Sequence, residues 1–282
     1  LKIGANISRA SALKASSNIC SPGVQLYGSG FILESEKASQ LLALAPIEAD
    51  HQVIRTYVNG RDLMQSSRGC SVIDFFGMSE SEARKSHPAA FQHVLDHVKP
   101  ERMTNRRESI RDLWWRFGWE RPKLRKMTAN LQRFICTPET ARHRLFQFLD
   151  AEILPDNMLV NIASDNAGLL GILASRIHVA WALAAGGTLE DRPRYNKSVC
   201  FETFPFPDAR FEQQTQICDL AERLDAHCKR QQAQHPELTL TGMYNVLEKL
   251  RSGEALSAKD KTIHEQGLVS VLRELHDELD RA

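Results

Sequence analysis

No Pro-Pro pair occurs anywhere in the 282 residues. Enzymes that methylate an exocyclic amine of DNA need a short Asp/Asn-Pro-Pro-aromatic loop, a rigid turn that offers acceptors to the amine of a flipped base. That loop is missing. No lysine has an acid two residues before it, which excludes the usual form of a metal-dependent nuclease site, where carboxylates hold the metal beside a water-activating lysine. Neither a Gly-x-Ser-x-Gly elbow nor a phosphate-binding Gly-Lys-Ser/Thr loop occurs. The six cysteines form no Cys-x-x-Cys pair, so they read as separate reduced thiols, and the expected compartment is the cytoplasm. No secretory pattern leads the chain. Its most apolar run, Leu169 to Ala185, carries Arg176 and His178 and is shorter than the ~20 residues of a membrane span, so it is expected to be a buried helix with no membrane contact. The sequence starts at Leu1 without an initiating Met, and a piece of a longer polypeptide is expected.

What is present is ordinary in bulk and uneven in distribution. Hydrophobic residues make up 42% and charged residues 25%, the composition of a soluble globular protein with room for two domains. The net charge of +1 hides two opposed regions. Lys99 to Arg144 holds thirteen Lys or Arg against five acids, whereas Asp208 to the end holds ten against fourteen. A basic middle and an acidic tail point to one anion-binding surface and one region built for protein contacts.

Along the chain, Val24 to Glu34 reads as extended around Gly28 and Gly30, and Ser35 is placed to cap a helix through Ala45. Val53–Val58, Ser71–Phe76, Arg133–Thr137, Leu145–Leu149 and Met158–Ala163 are expected strands. The capping box Ser79-Glu80-Ser81-Glu82 opens a helix, and Pro88 separates it from another. After Phe204-Pro205-Phe206-Pro207 the sequence becomes amphipathic helix: Phe211 to Gln232, Thr241 (cap) to Arg251, and Ser257 (cap) to the end. The expectation is α+β: a mixed-strand domain over residues 1–207, then a small all-helical domain over 208–282.

Gly28-Ser29-Gly30 lacks the third glycine of a nucleotide turn and is read as a hairpin turn, so no cofactor site is expected here. His93 and His97 have the i, i+4 spacing of a zinc pair but no third ligand, and are read as surface or half-buried histidines with no metal. The chain offers no catalytic set, and binding becomes the leading class. Its strongest positive signal is the arginine-rich, tryptophan-studded stretch. There Arg102, Arg106, Arg107 and Arg116, with Arg111, Arg121, Lys123, Arg125 and Lys126, are placed to neutralise phosphates. The Asn59-Gly60-Arg61 turn adds candidate base readers. So does Arg192-Pro193-Arg194-Tyr195-Asn196-Lys197, contributing Arg192, Arg194, Asn196 and Lys197. Against this stands the plain alternative that Trp114, Trp115 and Trp119 are core and the charges a solvated face.

Several strings carry a resemblance: Leu113-Trp114-Trp115-Arg116-Phe117-Gly118, Arg133-Phe134-Ile135-Cys136-Thr137-Pro138-Glu139-Thr140, Ser175-Arg176-Ile177-His178 with Trp181, Gly186-Gly187-Thr188-Leu189, Phe201-Glu202-Thr203-Phe204-Pro205-Phe206-Pro207, and Leu238-Thr239-Leu240-Thr241-Gly242-Met243-Tyr244-Asn245. In this order they resemble the C-terminal half of MmeI-like DNA adenine methyltransferases, restriction–modification and phage-defence enzymes. The resemblance implies a target-recognition domain followed by a helical region, with double-stranded DNA as partner. It further implies that the methyltransferase domain, its S-adenosylmethionine and, in some members, a nuclease lie upstream in the same polypeptide. Two rivals stand beside it: an enzyme with an unrecognised site, and a protein-interaction module of a restriction or phage-defence complex that touches DNA little.

Overall fold

The computed structural model describes residues 10–43, 53–189 and 192–282. Residues 1–9 of the Ser/Ala-rich opening and the last turn of the helix expected through Ala45 lie outside them. In chain order come β1 (Cys20–Pro22), β2 (Ile32–Leu33), α1 (Ser35–Ala43), β3 (Ile54–Val58), α2 (Gly60–Met64), β4 (Ser71–Ile73), α3 (Glu80–Ser86), α4 (Pro88–His97), α5 (Lys99–Met103), α6 (Glu108–Asp112) and α7 (Pro122–Thr128). Then follow β5 (Arg133–Pro138), β6 (Gln147–Asp150), β7 (Leu154–Pro155), β8 (Leu159–Ile162), α8 (Ala167–Ala174), α9 (Arg176–Gly186), β9 (Thr188–Leu189) and β10 (Arg192–Pro193). A π-helical turn spans Lys197–Phe201, and α10 (Phe211–Gln234), α11 (Leu240–Ser252), α12 (Ala258–Gln266) and α13 (Val269–Leu279) complete the chain. The architecture is α+β.

Two four-stranded sheets organise the first part, ordered β1-β8-β5-β6 and β2-β4-β3-β7. The first is antiparallel throughout, and the second is closed by the parallel pair β3 and β7. Alternation along β5 divides its side chains between two cores: Ile135 packs under α8 and α9, while Phe134 and Cys136 pack with Leu63 of α2. The second sheet is filled by Phe31, Val72, Ile73, Phe75, Phe91 and Val94, with Trp114, Trp115 and Phe117 inside the same core.

The helical tail is welded to this body. Met64, Ala141 and Leu145 share one core with the buried faces of α10, α11 and α13. Strand β6 is an outer strand of its sheet, and α10 covers it. Asp225 accepts from the Phe148 backbone N–H at 3.1 Å, and Lys229 donates to the Phe148 carbonyl at 2.8 Å. Those two groups would otherwise be free pairing sites at a sheet edge.

Three helix boundaries differ from the sequence reading. The run Leu169 to Ala185 breaks at Ser175 into α8 and α9, which bend by 64°. Ser175 is extended there and its hydroxyl accepts from the His178 N–H, so the polar residue caps a new helix instead of continuing the old one. The final helix likewise breaks at Leu268, which is left-handed at φ 42°. Thr239, not Thr241, caps α11, accepting from the Gly242 N–H at 3.0 Å, while Thr241 donates to the Met64 carbonyl. The Ser79–Glu82 capping box forms as expected. Among the described residues no single helix is long and apolar enough to cross a membrane.

Two buried imidazoles tie stability to acidity. His276 Nε2 lies 2.7 Å from the Tyr244 hydroxyl, and His178 sits between the Leu173 carbonyl and the Tyr195 hydroxyl at 2.9 and 3.2 Å. Burial pushes both down to about 4. In an unfolded chain they titrate near 6.5, so the unfolded state takes up protons first. Their neutral burial costs nothing above about pH 6.5 and destabilises progressively as pH falls toward about 4. The unfolding free energy from urea titrations should be flat above about pH 7 and drop between about pH 6.5 and 4, by up to about 3 kcal/mol per histidine, and the midpoint should fall with it. A midpoint constant across that window would contradict the neutral burial.

Candidate nucleic-acid interface

The basic stretch does not form one cationic face. Arg102 is 1% exposed, a correction to its reading as a DNA contact, since a guanidinium closed off from solvent has no surface to offer a phosphate. Its guanidinium donates to the carbonyls of Tyr27 (2.7 Å), Leu26 (2.5 Å), Arg116 (3.0 Å) and Ile110 (3.4 Å), with the Phe31 ring 5.2 Å away. Burial lowers its pKa to about 10. Arg116 pairs bidentately with Glu120 at the i, i+4 spacing, so its charge is balanced within the fold. Arg125 is held by buried Asp74, Arg133 by Glu222, and Arg144 is buried against the carbonyls of Pro138 and Pro193. Trp114 and Trp115 are core, but Trp119 is 51% exposed.

The remaining nominees gather along one rim. Strand β3 ends at Val58, whose carbonyl accepts from the Asp156 N–H at 2.8 Å. This sets the turn between β7 and β8 beside Asn59-Gly60-Arg61. Met158 of that turn accepts from the Glu139 N–H at 2.7 Å, and Glu139 binds Arg194 Nε at 2.6 Å. A Cβ on Gly60 would stand 3.5 Å from that of Pro138, so the 59–61 turn packs directly on the end of β5. On the other side, Val24 N–H donates to the Pro155 carbonyl at 2.8 Å, and Gln25 pairs with Trp119 through bonds of 3.0 and 3.1 Å. Arg121 Nε donates to the Gly23 carbonyl at 2.9 Å, and Arg107 Nη1 to the Tyr27 hydroxyl at 2.9 Å. Residues far apart in sequence therefore meet where the strands end.

Within the rim the nominees have different chemistry. The Asn59 side-chain oxygen accepts from the N–H groups of Arg61 and Asp62, closing a capping box on α2. Asn196 caps the π-helical turn in the same way, accepting from the Ser198 N–H. Both amides owe an acceptor to structure first. Arg194 is neutralised by Glu139, and Lys197 donates to Glu202 at 2.8 Å. Arg192 is exposed on β10. Arg61 and Arg106 are exposed, and among the described residues their guanidinium groups have no partner. Arg107 and Arg121 bond only neutral oxygens and so keep their full charge for an incoming anion. Among the described residues these four keep uncompensated charge, as do Arg111 and Lys123, which also bond only neutral oxygens.

The pair His93 and His97 stacks at 4.2 Å, but His93 Nε2 lies 3.1 Å from the Gly30 carbonyl and His97 Nδ1 lies 2.9 Å from the His93 carbonyl. Gly30 is required by this contact: a Cβ there would sit 2.5 Å from the His97 carbonyl oxygen. Among the described residues no group of three His, Cys, Asp or Glu is placed to hold a metal ion.

Comparison with known proteins gives the rim its context. Residues 8–208 match the family described as MmeI, target recognition domain. The chain belongs to this family. The whole structure also overlays the Type IIL restriction–modification enzyme MmeI, solved in complex with DNA, with TM-score 0.69 and 19% identity over 99% of this chain and 33% of that one. At that identity the overlay shows the shared fold. DNA methyltransferase A of Bacillus subtilis (strain 168) is 34% identical over 67 residues, 24% of this chain and 8% of the relative. The type IIG restriction endonuclease BpuSI overlays at TM-score 0.43 with 10% identity, covering 95% of this chain and 31% of its own, too distant to argue from. The chain thus spans a third or less of the relatives it matches. MmeI-type target recognition implies recognition of DNA sequence.

The buried guanidinium gives a direct test. Arg102→Met removes five donors and leaves four carbonyls facing a thioether, so it should cost about 3–5 kcal/mol in urea unfolding. Arg106→Ala, on an unpartnered surface side chain, should stay within about 0.5 kcal/mol. An Arg102→Met loss below about 1 kcal/mol would show that the four-carbonyl clamp does not hold the segment.

Proposed function

We propose that this chain is the sequence-reading part of an MmeI-like restriction–modification enzyme. It grips duplex DNA along the rim and positions it for adenine-N6 methylation by a methyltransferase domain elsewhere in the polypeptide, where S-adenosylmethionine binds. The observation that carries this reading is the uncompensated charge of Arg61 on α2 and of Arg106, Arg107 and Arg121, on segments that backbone and side-chain hydrogen bonds join to the strand ends. Phosphate contacts set register, and side chains aimed at base edges supply specificity. Residues 1–207 carry the recognition; residues 208–282 act as a buttress, because their core includes Met64 from the helix that bears Arg61. The chain itself needs no cofactor in this scheme.

One observation favours the interaction-module reading as an addition. On α9, Ile177 is 73% and Leu183 48% exposed, an apolar side suited to protein contact. It does not compete with the rim, which lies at the strand ends.

Binding to random duplex should weaken steeply with salt, because each neutralised phosphate releases counterions. Arg61→Ala and Arg106→Ala should each reduce the log–log salt slope by about one, whereas Arg116→Ala should leave it unchanged. Fluorescence anisotropy between about 50 and 200 mM salt reads this. Salt-independent binding, or methyl transfer by the isolated chain given S-adenosylmethionine, would overturn the assignment.

A further inference from the structure

At the middle of the rim lie three side chains that carry no charge and no conventional motif. Gln25 and Trp119 exchange both backbone hydrogen bonds, so they are directly opposed in an antiparallel pair and project to the same side. That side is the solvent side: Trp119 is 51% exposed, while the flanking Val24 and Leu26 are buried. Val24 forms a parallel bridge with Asp156, and Asp156 turns inward, accepting from the Tyr57 hydroxyl at 2.5 Å. Asn157, the next residue, stands at the corner of the turn that Asp156 closes with Leu159, one step past the bridge just as Gln25 is.

The support beneath this array is rigid. Asp156 accepts from the Met158 N–H at 2.9 Å, its carbonyl accepts from the Leu159 N–H at 2.9 Å, and its own N–H is held by Val58. Gln25 is locked between Trp119 and the β7–β8 turn. Yet among the described residues neither the Gln25 nor the Asn157 side-chain amide has a hydrogen-bond partner. Both amides are part-exposed, so their donors and acceptors are open to an incoming group. They contrast with Asn59 and Asn196, whose acceptors are spent on helix caps.

We propose that Gln25, Asn157 and Trp119 read an A·T base pair in the major groove. An amide offers one donor and one acceptor side by side, the complement of adenine N7 and N6, and that pairing is the commonest use of Asn and Gln on DNA. The indole face supplies apolar contact for the thymine methyl of the same pair. Arg121, 5.5 Å from the Trp119 ring and bonded to the Gly23 carbonyl, keeps the indole in place and its own charge toward the backbone. This inference rests on the DNA-recognition reading and adds to it the base class and the residues that choose it.

Selection of bound sequences from a random-duplex library, using the whole 282-residue chain, tests the proposal. The wild type should enrich a sequence with at least one strongly preferred adenine. Asn157→Ala or Gln25→Ala should flatten preference at one such position by roughly tenfold, with melting temperature unchanged because neither amide bonds within the protein. Asn157→Asp should do more than weaken it. A carboxylate only accepts, so the preferred base there should shift toward cytosine, whose N4 amine donates; loss of structure alone cannot produce that shift. Trp119→Ala should lower preference for thymine over uracil opposite that adenine. If the wild type enriches a sequence and both amide variants keep every adenine, the proposal falls while DNA recognition stands. If the wild type enriches no sequence at all, the recognition reading itself fails.

Discussion

The fold depends on one guanidinium taken out of water. Arg102 fastens the carbonyls of Leu26 and Tyr27 to those of Ile110 in α6 and of Arg116, beside the short antiparallel pairing of Gln25 with Trp119. A buried charge without such partners would cost several kcal/mol; with four carbonyls aimed at its five N–H groups, the cost becomes a constraint on where those carbonyls must be. Tyr27, in the left-handed region at φ 56°, lies against Gly118 because of it. The outer row of Tyr27, Gln25 and Trp119 inherits its position from this buried knot.

The same economy explains why so basic a segment gives so little free charge. Arginine brings five donors in a planar fork, and a loop-rich segment has many carbonyls without ladder partners. Here Arg102, Arg111, Arg121 and Arg144 serve those carbonyls, and Arg116, Arg125 and Arg133 serve carboxylates. Only guanidinium groups on neutral acceptors, or on none, add to the field at the rim. Rigidity and electrostatics are thus supplied by the same residue type in different settings.

The acidic tail has a role visible only in contact. Asp225 and Lys229 close the outer edge of β6, and Met64 anchors α2 to the core of α10, α11 and α13. Helix α2, which bears Arg61, is thereby tied to a helical block.

The sequence by itself determined the α+β class, five of the ten described strands, the helical tail and the family. These rest on local periodicity, caps such as Ser79 with Glu82, and strings of tryptophan, proline and glycine that survive without knowledge of neighbours. It failed where a residue's role is set by what faces it across the fold. Arg102 and Arg116 look alike in sequence to Arg106 and Arg107, yet one is buried, one is neutralised, and two meet solvent. Gln25 and Asn157 carry no local signal; only the pairing of Gln25 with Trp119 and of Val24 with Asp156 sets them side by side. Tertiary structure decided the site because charge and hydrogen-bonding capacity are consumed by partners distant in sequence, and what is left over is what can bind.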